Sequence, residues 1–408
     1  MAERGAGAQL AAATAAFTVC FYAWALLGPL GPDLQDELAL SDLELSIVVA
    51  VPVLLGSLMR IPLGALTDRY GGRRVFTALL AYTPLPLIAL ALFHASLGVI
   101  LLFGFLLGFA GASFAVGVPF VNRWYPPERQ GAALGIYGMG MGGTVLAGLT
   151  APAIADELGI SAPFWLAGAL VALTAVGFYA IARDAPGAAS GATGGLFAPL
   201  AVFRTSGRAW ALTLFYFLAF GGFVAMFLYL PKLLTGVHDL TKTDAGARAA
   251  GFALLAVLAR PMGGWLADRV GAARVLRVSF AGVTLLAAAL AATYESMVPL
   301  TVACLSLAVF LGLGTGAVFK LVAEWFPERV GAVTGVVGAA GGLGGFFPPL
   351  VMGIVKAATG GYALGFALMA LVAVACLLVL ARLTGRTAPR EQPPRREPGR
   401  REPAVGPR

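Results

Sequence analysis

The chain has 408 residues, of which 59% are hydrophobic and 12% are charged, and its formal net charge is +8. Together with a mean hydropathy of +0.87, this composition excludes a soluble globular protein of that length. The basic residues are spread over loops between apolar runs, so the positive charge does not indicate a nucleic-acid partner.

About twelve apolar runs follow one another, each close to the roughly 20 residues that a membrane-spanning helix needs. They lack the alternation of barrel strands, and helices satisfy their own backbone hydrogen bonds in lipid. The sequence therefore predicts an all-α polytopic membrane protein with twelve transmembrane helices, here called spans 1 to 12. The predicted spans are 10–30, 43–66, 75–93, 98–121, 131–153, 162–182, 209–231, 246–266, 277–294, 298–322, 331–354 and 361–382.

Most arginines fall in loops on one side of this bundle. The other side holds little beyond Lys232, Lys242, Arg248 and Lys356. Because basic loops stay in the cytoplasm, both termini are predicted to be cytoplasmic and the protein to lie in the cytoplasmic membrane.

Span 2 contains Arg60, which directly follows the apolar run Ile47–Met59. A charge inside a membrane costs roughly 2.5–3.5 kcal/mol on insertion scales and marks a functional site by default. The span ends in an Asp-Arg-x-Gly-x-x-Arg motif over residues 68–74, whose charged groups can pair with a neighbouring helix at the cytoplasmic face.

Span 5 carries glycines spaced by four, three and four residues, which line one face of a helix. Such a face lets helix backbones pack closely or leaves room for a small flat ligand, and the residues alone leave both interpretations open. The ladder consists of Gly131, Gly135, Gly138 and Gly142.

The second half of the chain repeats the first at an offset of 200 residues: Arg260 corresponds to Arg60, and residues 268–274 correspond to 68–74. A second glycine ladder comprises Gly331, Gly335, Gly338, Gly342 and Gly345. The predicted division is an N-terminal six-helix half (1–182), a cytoplasmic linker (183–208), a C-terminal six-helix half (209–382) and a disordered cytoplasmic tail (383–408). Two cations related by the repeat and facing one cavity between the halves indicate an anion site.

The Asp-Arg-x-Gly-x-x-Arg motif, which occurs twice, resembles the signature of the major facilitator superfamily. The resemblance implies the major facilitator fold and a charged latch that closes one face as the halves rock. The implied gating residues are Asp68, Arg69, Arg74, Asp268, Arg269 and Arg274.

Glycine-rich stretches at 108–128, 135–140 and 338–348 resemble those of the nitrate/nitrite porter family, and the resemblance extends to about residue 382. It implies an anion clamped by Arg60 and Arg260 within aromatic walls. Guanidinium and nitrate are both planar, and the guanidinium fork matches paired oxygens. The implied substrate-binding residues are Arg60, Arg260, Phe114, Tyr216, Phe220, Trp24, Gly138, Gly142, Gly338, Gly342, Met141, Thr315 and Lys320.

Three of these positions bear on selectivity and coupling. The family usually has asparagine where this chain has Met141, and often has Gly-Asn-Gly where this chain has Thr315 between glycines. Losing amide donors there would reshape anion recognition. Lys320 in span 10 either extends to the cytoplasmic face or forms a third cation that could exchange a proton. Some family members taken to be proton symporters resemble this chain in having lysine at this position.

The predicted function is secondary transport of nitrate, nitrite or both, as proton symport or as nitrate/nitrite antiport. The main alternative is a carrier of another small anion such as formate or oxalate, and a non-transporting anion receptor is a second. Because the sequence has no nucleotide fingerprint, metal cluster or catalytic triad, we expect no enzymatic activity, cofactor or metal. The expected partners are the anion, protons as a candidate coupling ion and the lipid bilayer, and we expect a monomer.

Overall fold

A computed structural model describes residues 3–186 and 201–384. The twelve predicted spans are confirmed, because twelve helices there are long and apolar enough to cross a membrane. The described residues form helices and contain no strand. The helices of spans 1 to 6 are Glu3–Ala25, Asp42–Tyr70, Gly72–Tyr82 with Pro84–Phe93, Leu97–Gly111 with Ser113–Asn122, Gln130–Gly138 with Gly142–Leu158, and Ser161–Ile181. Those of spans 7 to 12 are Gly207–Tyr216 with Gly222–His238, Lys242–Val270, Ala272–Thr293, Met297–Trp325, Val330–Thr359 and Ala363–Thr384.

Two boundaries differ from the predictions for clear local reasons. Span 1 ends at Ala25 rather than near residue 30, since Gly28 and Pro29 lie in a turn that leads to the short helix Gly31–Leu38. The 68–74 motif is also mostly helical, with Gly71 as the only residue between spans 2 and 3. Gly71 has φ of 85°, a left-handed value that glycine adopts readily.

The two halves pack together through the glycine ladders. Span 2 of the first half packs on span 11 of the second, and span 8 of the second packs on span 5 of the first. A Cβ atom on Gly64 would lie 2.3 Å from the carbonyl oxygen of Gly331, and one on Gly264 would lie 1.8 Å from that of Gly131. At these positions the ladders therefore serve the close packing of helix backbones.

The predicted linker and tail fall largely beyond the described part of the chain. Residues 187–200 of the linker and 385–408 of the tail lie outside the described residues. The division of the chain into halves, linker and tail stays a prediction, while the six-plus-six arrangement of spans is the observed architecture.

Candidate substrate site and gate

Arg60 and Arg260 lie deep inside the bundle, each with only 3% of its surface exposed. Neither forms an ion pair with a carboxylate in the described ranges 3–186 and 201–384. A buried cation without a carboxylate partner is costly unless another anion compensates it. The pair is therefore electrostatically suited to an anionic ligand.

Backbone carbonyl groups of two helices hold the Arg60 guanidinium. Its Nε donates to the carbonyl of Gly111 at 3.3 Å, and its Nη1 donates to that of Gly338 at 2.6 Å. The first acceptor belongs to span 4 and the second to span 11 of the opposite half. The guanidinium carbon also lies 5.5 Å from the ring centre of Phe220, within cation–π range.

Arg260 has weaker acceptors than Arg60. Its Nη1 contacts the sulfur of Met141, a weak acceptor, and its Nη2 lies 3.5 Å from the Tyr216 hydroxyl. Its guanidinium carbon lies 5.7 Å from the ring centre of Phe114. The two arginines of the repeat thus share their burial but differ in their partners.

Three aromatic rings form a column beside the arginines. The rings of Phe114 and Tyr216 are 6.2 Å apart at an angle of 7°, and those of Tyr216 and Phe220 are 5.1 Å apart at the same angle. The guanidinium of Arg260 lies over the ring of Phe114, and that of Arg60 lies over the ring of Phe220. The predicted aromatic trio is thus brought together with both arginines.

Helices are irregular next to these residues. Span 4 is interrupted at Ala112, span 5 tightens into a 3₁₀ turn at Met139–Met141, and span 7 contains a π-helical turn at Phe217–Gly221. Such irregularities are tolerated at membrane depth where they are buried in protein or line a cavity, and π turns are frequent at functional sites. They expose backbone and side-chain groups that a continuous helix would not.

Two predicted glycines lie directly against the guanidinium groups. A Cβ on Gly138 would lie 2.9 Å from Nε of Arg260, and one on Gly338 would lie 3.2 Å from Cδ of Arg60. Gly342 faces Ser57, whose Oγ would be 2.1 Å from such a Cβ, whereas Gly142 has only Val257 nearby at 3.9 Å. The ladders therefore both pack the halves and keep side chains away from the arginines.

The motif aspartates, which the sequence predicts to act as a gate, contact helix starts of the opposite half. Asp68 of span 2 accepts a hydrogen bond from the backbone N–H of Ala332 at 2.8 Å, at the start of span 11, and pairs with Arg123 at 3.0 Å. Asp268 of span 8 accepts from the N–H groups of Gly131 and Ala132 at 2.9 and 2.7 Å, at the start of span 5. Each carboxylate thus caps the positive end of a helix in the opposite half.

Lys320 lies against Asp268 of this predicted gate. Only 5% of its surface is exposed, and its Nζ lies 2.9 Å from Oδ1 of Asp268 and contacts the carbonyl oxygen of Pro127 in the other half. Lys320 therefore neither extends to solvent nor joins the arginine pair. It pairs with Asp268 as Arg123 pairs with Asp68.

The remaining predicted residues lie at the edges of these two sites. Trp24 donates to the carbonyl of Pro52 at 3.1 Å and packs beside Gly111, whose carbonyl holds Arg60. Thr315 donates to the carbonyl of Gly312 at 2.7 Å and lines a narrow crevice with Arg260 and Met141.

The other motif arginines make contacts within their own half. Arg69 and Arg269 lie over the neighbouring rings of Tyr70 and Trp265 at 5.2 and 3.9 Å, and Arg274 donates to the carbonyl of Val270. Arg74 is exposed. The aspartates, rather than these arginines, make the contacts that join the two halves.

Sequence reasoning missed two aromatic residues of the site. Tyr137 stacks against both Phe17 and Phe114, with ring centres 4.9 and 5.8 Å away, and its hydroxyl donates to the carbonyl of Ser113 at 2.9 Å. Phe319 packs its edge on Phe114 and on Tyr216 at 4.7 and 4.6 Å. Tyr137 directly precedes Gly138 and Phe319 directly precedes Lys320, which could have indicated that both lie near the site. An aromatic residue in an apolar span, however, usually indicates helix packing.

Twelve membrane-length helices in two sets of six, with a buried arginine in each set, are the architecture of a membrane carrier. Comparisons with known proteins agree. The family Major Facilitator Superfamily matches residues 13–293 and 237–407. The human organic anion transporter MFSD10 (TETRAN) has a similar structure, with a TM-score of 0.75 at 16% identity over 92% of this chain and 99% of that one.

Relatives of similar sequence identify one family within this superfamily. The chain is 44% identical to a probable nitrate/nitrite transporter, NarK2, of Mycobacterium tuberculosis, over 86% of this chain and 89% of the relative. It is 38% identical to the nitrite extrusion protein of Bacillus subtilis, over 91% of this chain and 93% of the relative. The chain belongs to the major facilitator superfamily and, within it, to the nitrate/nitrite porter family.

Proposed function

We propose that the chain is a secondary transporter that moves nitrate, nitrite or both across the cytoplasmic membrane by alternating access. The observation that carries this proposal is the pair of buried arginines without carboxylate partners among the described residues. The names of the relatives, which are a nitrate/nitrite transporter and a nitrite extrusion protein, favour these anions over formate or oxalate.

In this proposal the anion lies between Arg60 and Arg260, against the column of Phe114, Tyr216 and Phe220. Charge-assisted hydrogen bonds hold its oxygens, and the aromatic rings exclude water and so strengthen the attraction. Binding places a negative charge beside two cations that otherwise repel each other and so offsets their repulsion, which lets the halves close around the substrate.

The face with the Asp68 and Asp268 latches is the cytoplasmic one in this proposal, in agreement with the distribution of basic loops. Release to the cytoplasm then requires both carboxylates to leave the helix starts that they cap. The protein acts as a monomer, has no catalytic activity and requires no cofactor.

Two coupling modes fit the site. The substrate's own charge can drive exchange, because an empty pair of arginines resists closure. Proton symport instead needs a titrating group, and the Lys320–Asp268 pair is the candidate because it lies in the gate.

Counterflow in liposomes that contain the purified protein tests this proposal. With nitrite inside and labelled nitrate outside, and no ion gradient, accumulation of label would support exchange. Uptake that appears only after a proton gradient is imposed would support symport. Competition by formate and oxalate tests the alternative substrates, and inhibition by either acid together with no nitrate or nitrite flux would overturn the proposal.

A further inference from the structure

A second cavity, of about 380 Å³, lies between the two halves where Asp268 contacts the start of span 5, and it does not involve Arg60 or Arg260. The first half contributes the start of span 5 and the residues just before it, and the second half contributes the end of span 8. This volume is within the range of cavities that bind ligands. Its lining includes Tyr125, Glu128, Arg129, Ile136, Trp265 and Arg269.

One wall of this cavity faces the membrane. Ile136 of span 5 and Trp265 of span 8 are apolar residues of membrane-length helices, yet 41% and 44% of their surfaces are exposed. Tryptophan is enriched at membrane–water interfaces, because its ring is apolar and its N–H group is polar. The cavity therefore opens to the bilayer near the level of the lipid headgroups.

The charged groups at the same cavity favour an anion. Arg129 of the first half and Arg269 of the second both line it. Glu128 and Asp268 also line it, but Asp268 pairs with Lys320 at 2.9 Å. These three cations and two carboxylates leave a net charge of +1. A phosphodiester group carries one negative charge, and guanidinium groups bind phosphate oxygens in pairs.

Arg269 is held in place in a way that keeps its donors available. Its guanidinium carbon lies 3.9 Å from the ring centre of Trp265, so the ring contacts the face of the guanidinium. The N–H groups lie at the edge of the guanidinium plane, and none of them donates to an acceptor among the residues that the structure describes. An incoming phosphate can therefore bind this edge without displacing a protein group.

The repeat does not provide the same wall on the opposite side of the molecule. The counterpart of Trp265 at the offset of 200 residues is Ala65, and the counterpart of Leu10, which also lines the cavity, is Trp210. Alanine cannot support a guanidinium as a tryptophan ring does. We therefore expect one site of this kind rather than two.

We propose that this cavity binds an anionic phospholipid, with its phosphate on Arg129 and Arg269 and the adjoining apolar part of the lipid against Ile136 and Trp265. A basic cavity between membrane helices at the headgroup level suits such a lipid. A soluble phosphate ester would satisfy the arginines equally but has no apolar group to cover the exposed wall. The inference concerns a site other than the substrate site and does not depend on which anion the protein carries.

The bound lipid would also connect the two halves. Arg129 belongs to the first half and Arg269 to the second, and between them Asp268 accepts a hydrogen bond from the N–H of Ala132 at 2.7 Å. A phosphate that binds both guanidinium groups bridges the halves beside this contact. Lipid binding should therefore stabilise the arrangement in which the halves are joined here.

Native mass spectrometry of the purified full-length protein tests the site by counting bound lipids. Phosphatidylglycerol is the probe, and phosphatidylcholine with the same acyl chains, which has no net charge, is the comparison. We expect one phosphatidylglycerol to bind about tenfold more tightly than phosphatidylcholine, the worth of a charge-assisted contact. Equal binding of the two lipids would overturn the proposal.

Arg269→Gln removes one guanidinium from an exposed position, and Arg277→Gln is its matched control. Arg277 is an exposed arginine of span 9 that does not line the cavity. The Kd for phosphatidylglycerol should rise about tenfold or more in Arg269→Gln and stay at the wild-type value in Arg277→Gln. Equal weakening in both would mean attraction to basic residues in general and would overturn the site.

Two further measurements test the place and the source of the ligand. Ala132→Phe fills the cavity and keeps both arginines, so it should abolish tight phosphatidylglycerol binding, and wild-type binding by this variant would overturn the location. Phosphatidylglycerol should raise the Tm of the wild-type protein but not that of Arg269→Gln, which reports on the site even if Ala132→Phe fails to fold. Displacement of the lipid by an equal concentration of glycerol 1-phosphate would show that a soluble phosphate ester is the ligand and would contradict the proposal.

Discussion

A guanidinium group carries five N–H donors, and in an apolar interior each donor without an acceptor costs free energy. Backbone carbonyl groups are good acceptors that carry no counter-charge. Arg60 donates to two of them, and because these acceptors are neutral its positive charge is not cancelled and can still attract an anion. This arrangement differs from an ion pair, in which a carboxylate would compete with the substrate anion.

The lack of a side chain at Gly138 should be required for anion binding. Gly138→Ala places a methyl group 2.9 Å from Nε of Arg260, which displaces the guanidinium or blocks the oxygens of the anion. We expect the rate of nitrate uptake to fall at least about tenfold, since one or more charge-assisted hydrogen bonds are lost. Uptake into liposomes measures this rate.

Gly148→Ala is the matched control in the same span. Among the residues that the structure describes, no atom lies within 4 Å of a Cβ at Gly148, so the substitution meets open space. Alanine favours a helix over glycine by up to about 1 kcal/mol, and this variant should transport normally with equal or higher thermal stability. Equal uptake by the two variants would contradict the role of Gly138.

Several residues of the site could be predicted from the sequence because their types are unusual in their surroundings. Arg60 and Arg260 are charges within apolar runs, and their equal spacing from the repeated motif pairs them. Tyr137 and Phe319 could not be predicted, because aromatic residues in apolar spans are common and only the fold brings these two rings against Phe114.

At the scale of whole helices, spans 5 and 11 each begin against an aspartate of the opposite half. The contact joins a carboxylate to the positive end of a helix dipole, and movement of the halves breaks it without breaking any helix. The two halves are therefore joined at these points by a few interactions of moderate strength, which is what the predicted gate would require.

Asp68→Ala should open the gate more often. Removing a carboxylate that caps a helix typically costs 0.5–2 kcal/mol, so the open fraction should rise roughly 2- to 30-fold. Thr334 lies behind the gate in span 11 and is fully buried. The rate at which a maleimide labels Thr334→Cys, in protein whose Cys20, Cys304 and Cys376 are replaced by alanine, measures the opening.

Asp184→Ala is the matched control for this experiment. Asp184 accepts a hydrogen bond from the N–H of Arg73 at 2.9 Å, at the start of span 3, so it caps a helix of its own half. Its loss should lower stability by a similar amount and leave labelling of Thr334→Cys unchanged. If both substitutions accelerate labelling equally, general destabilisation rather than the gate would be the cause.

The existence and order of the spans were predictable because apolar length alone identifies a membrane helix. Their irregularities were not. The interruption at Ala112 and the π turn at Phe217–Gly221 have no proline to mark them, and they depend on the neighbouring helices. The partners of Lys320 were equally hidden, since Asp268 and Pro127 are distant in sequence and meet only in the fold.

The whole molecule combines a repeated architecture with unequal halves. The repeat places one arginine, one latch aspartate and one glycine ladder in each half, which suits two halves that rock about a central site. The helices of the first half are interrupted in spans 4 and 5, whereas spans 10 and 11 are continuous. The repeat suits a movement of the two halves relative to each other. The interrupted helices of spans 4 and 5, which the repeat does not share, give the two arginines different surroundings.

Two buried like charges also explain why the empty carrier should resist a full cycle. Repulsion between unit charges is strong in an apolar interior and weak in water, so closure of the halves without an anion is opposed. We infer that substrate binding makes closure favourable, which couples movement to transport and limits leakage.

The measurement that tests the central claim most directly is labelled-nitrate counterflow by purified Arg60→Ala and Arg260→Ala proteins in liposomes. Losing either guanidinium removes charge-assisted hydrogen bonds worth about 1.5–3 kcal/mol each. Both variants should remain folded, because neither arginine has a carboxylate partner among residues 3–186 and 201–384 that would be left unpaired. We predict that each falls to the rate of protein-free liposomes, and transport by either at the wild-type rate would contradict the account.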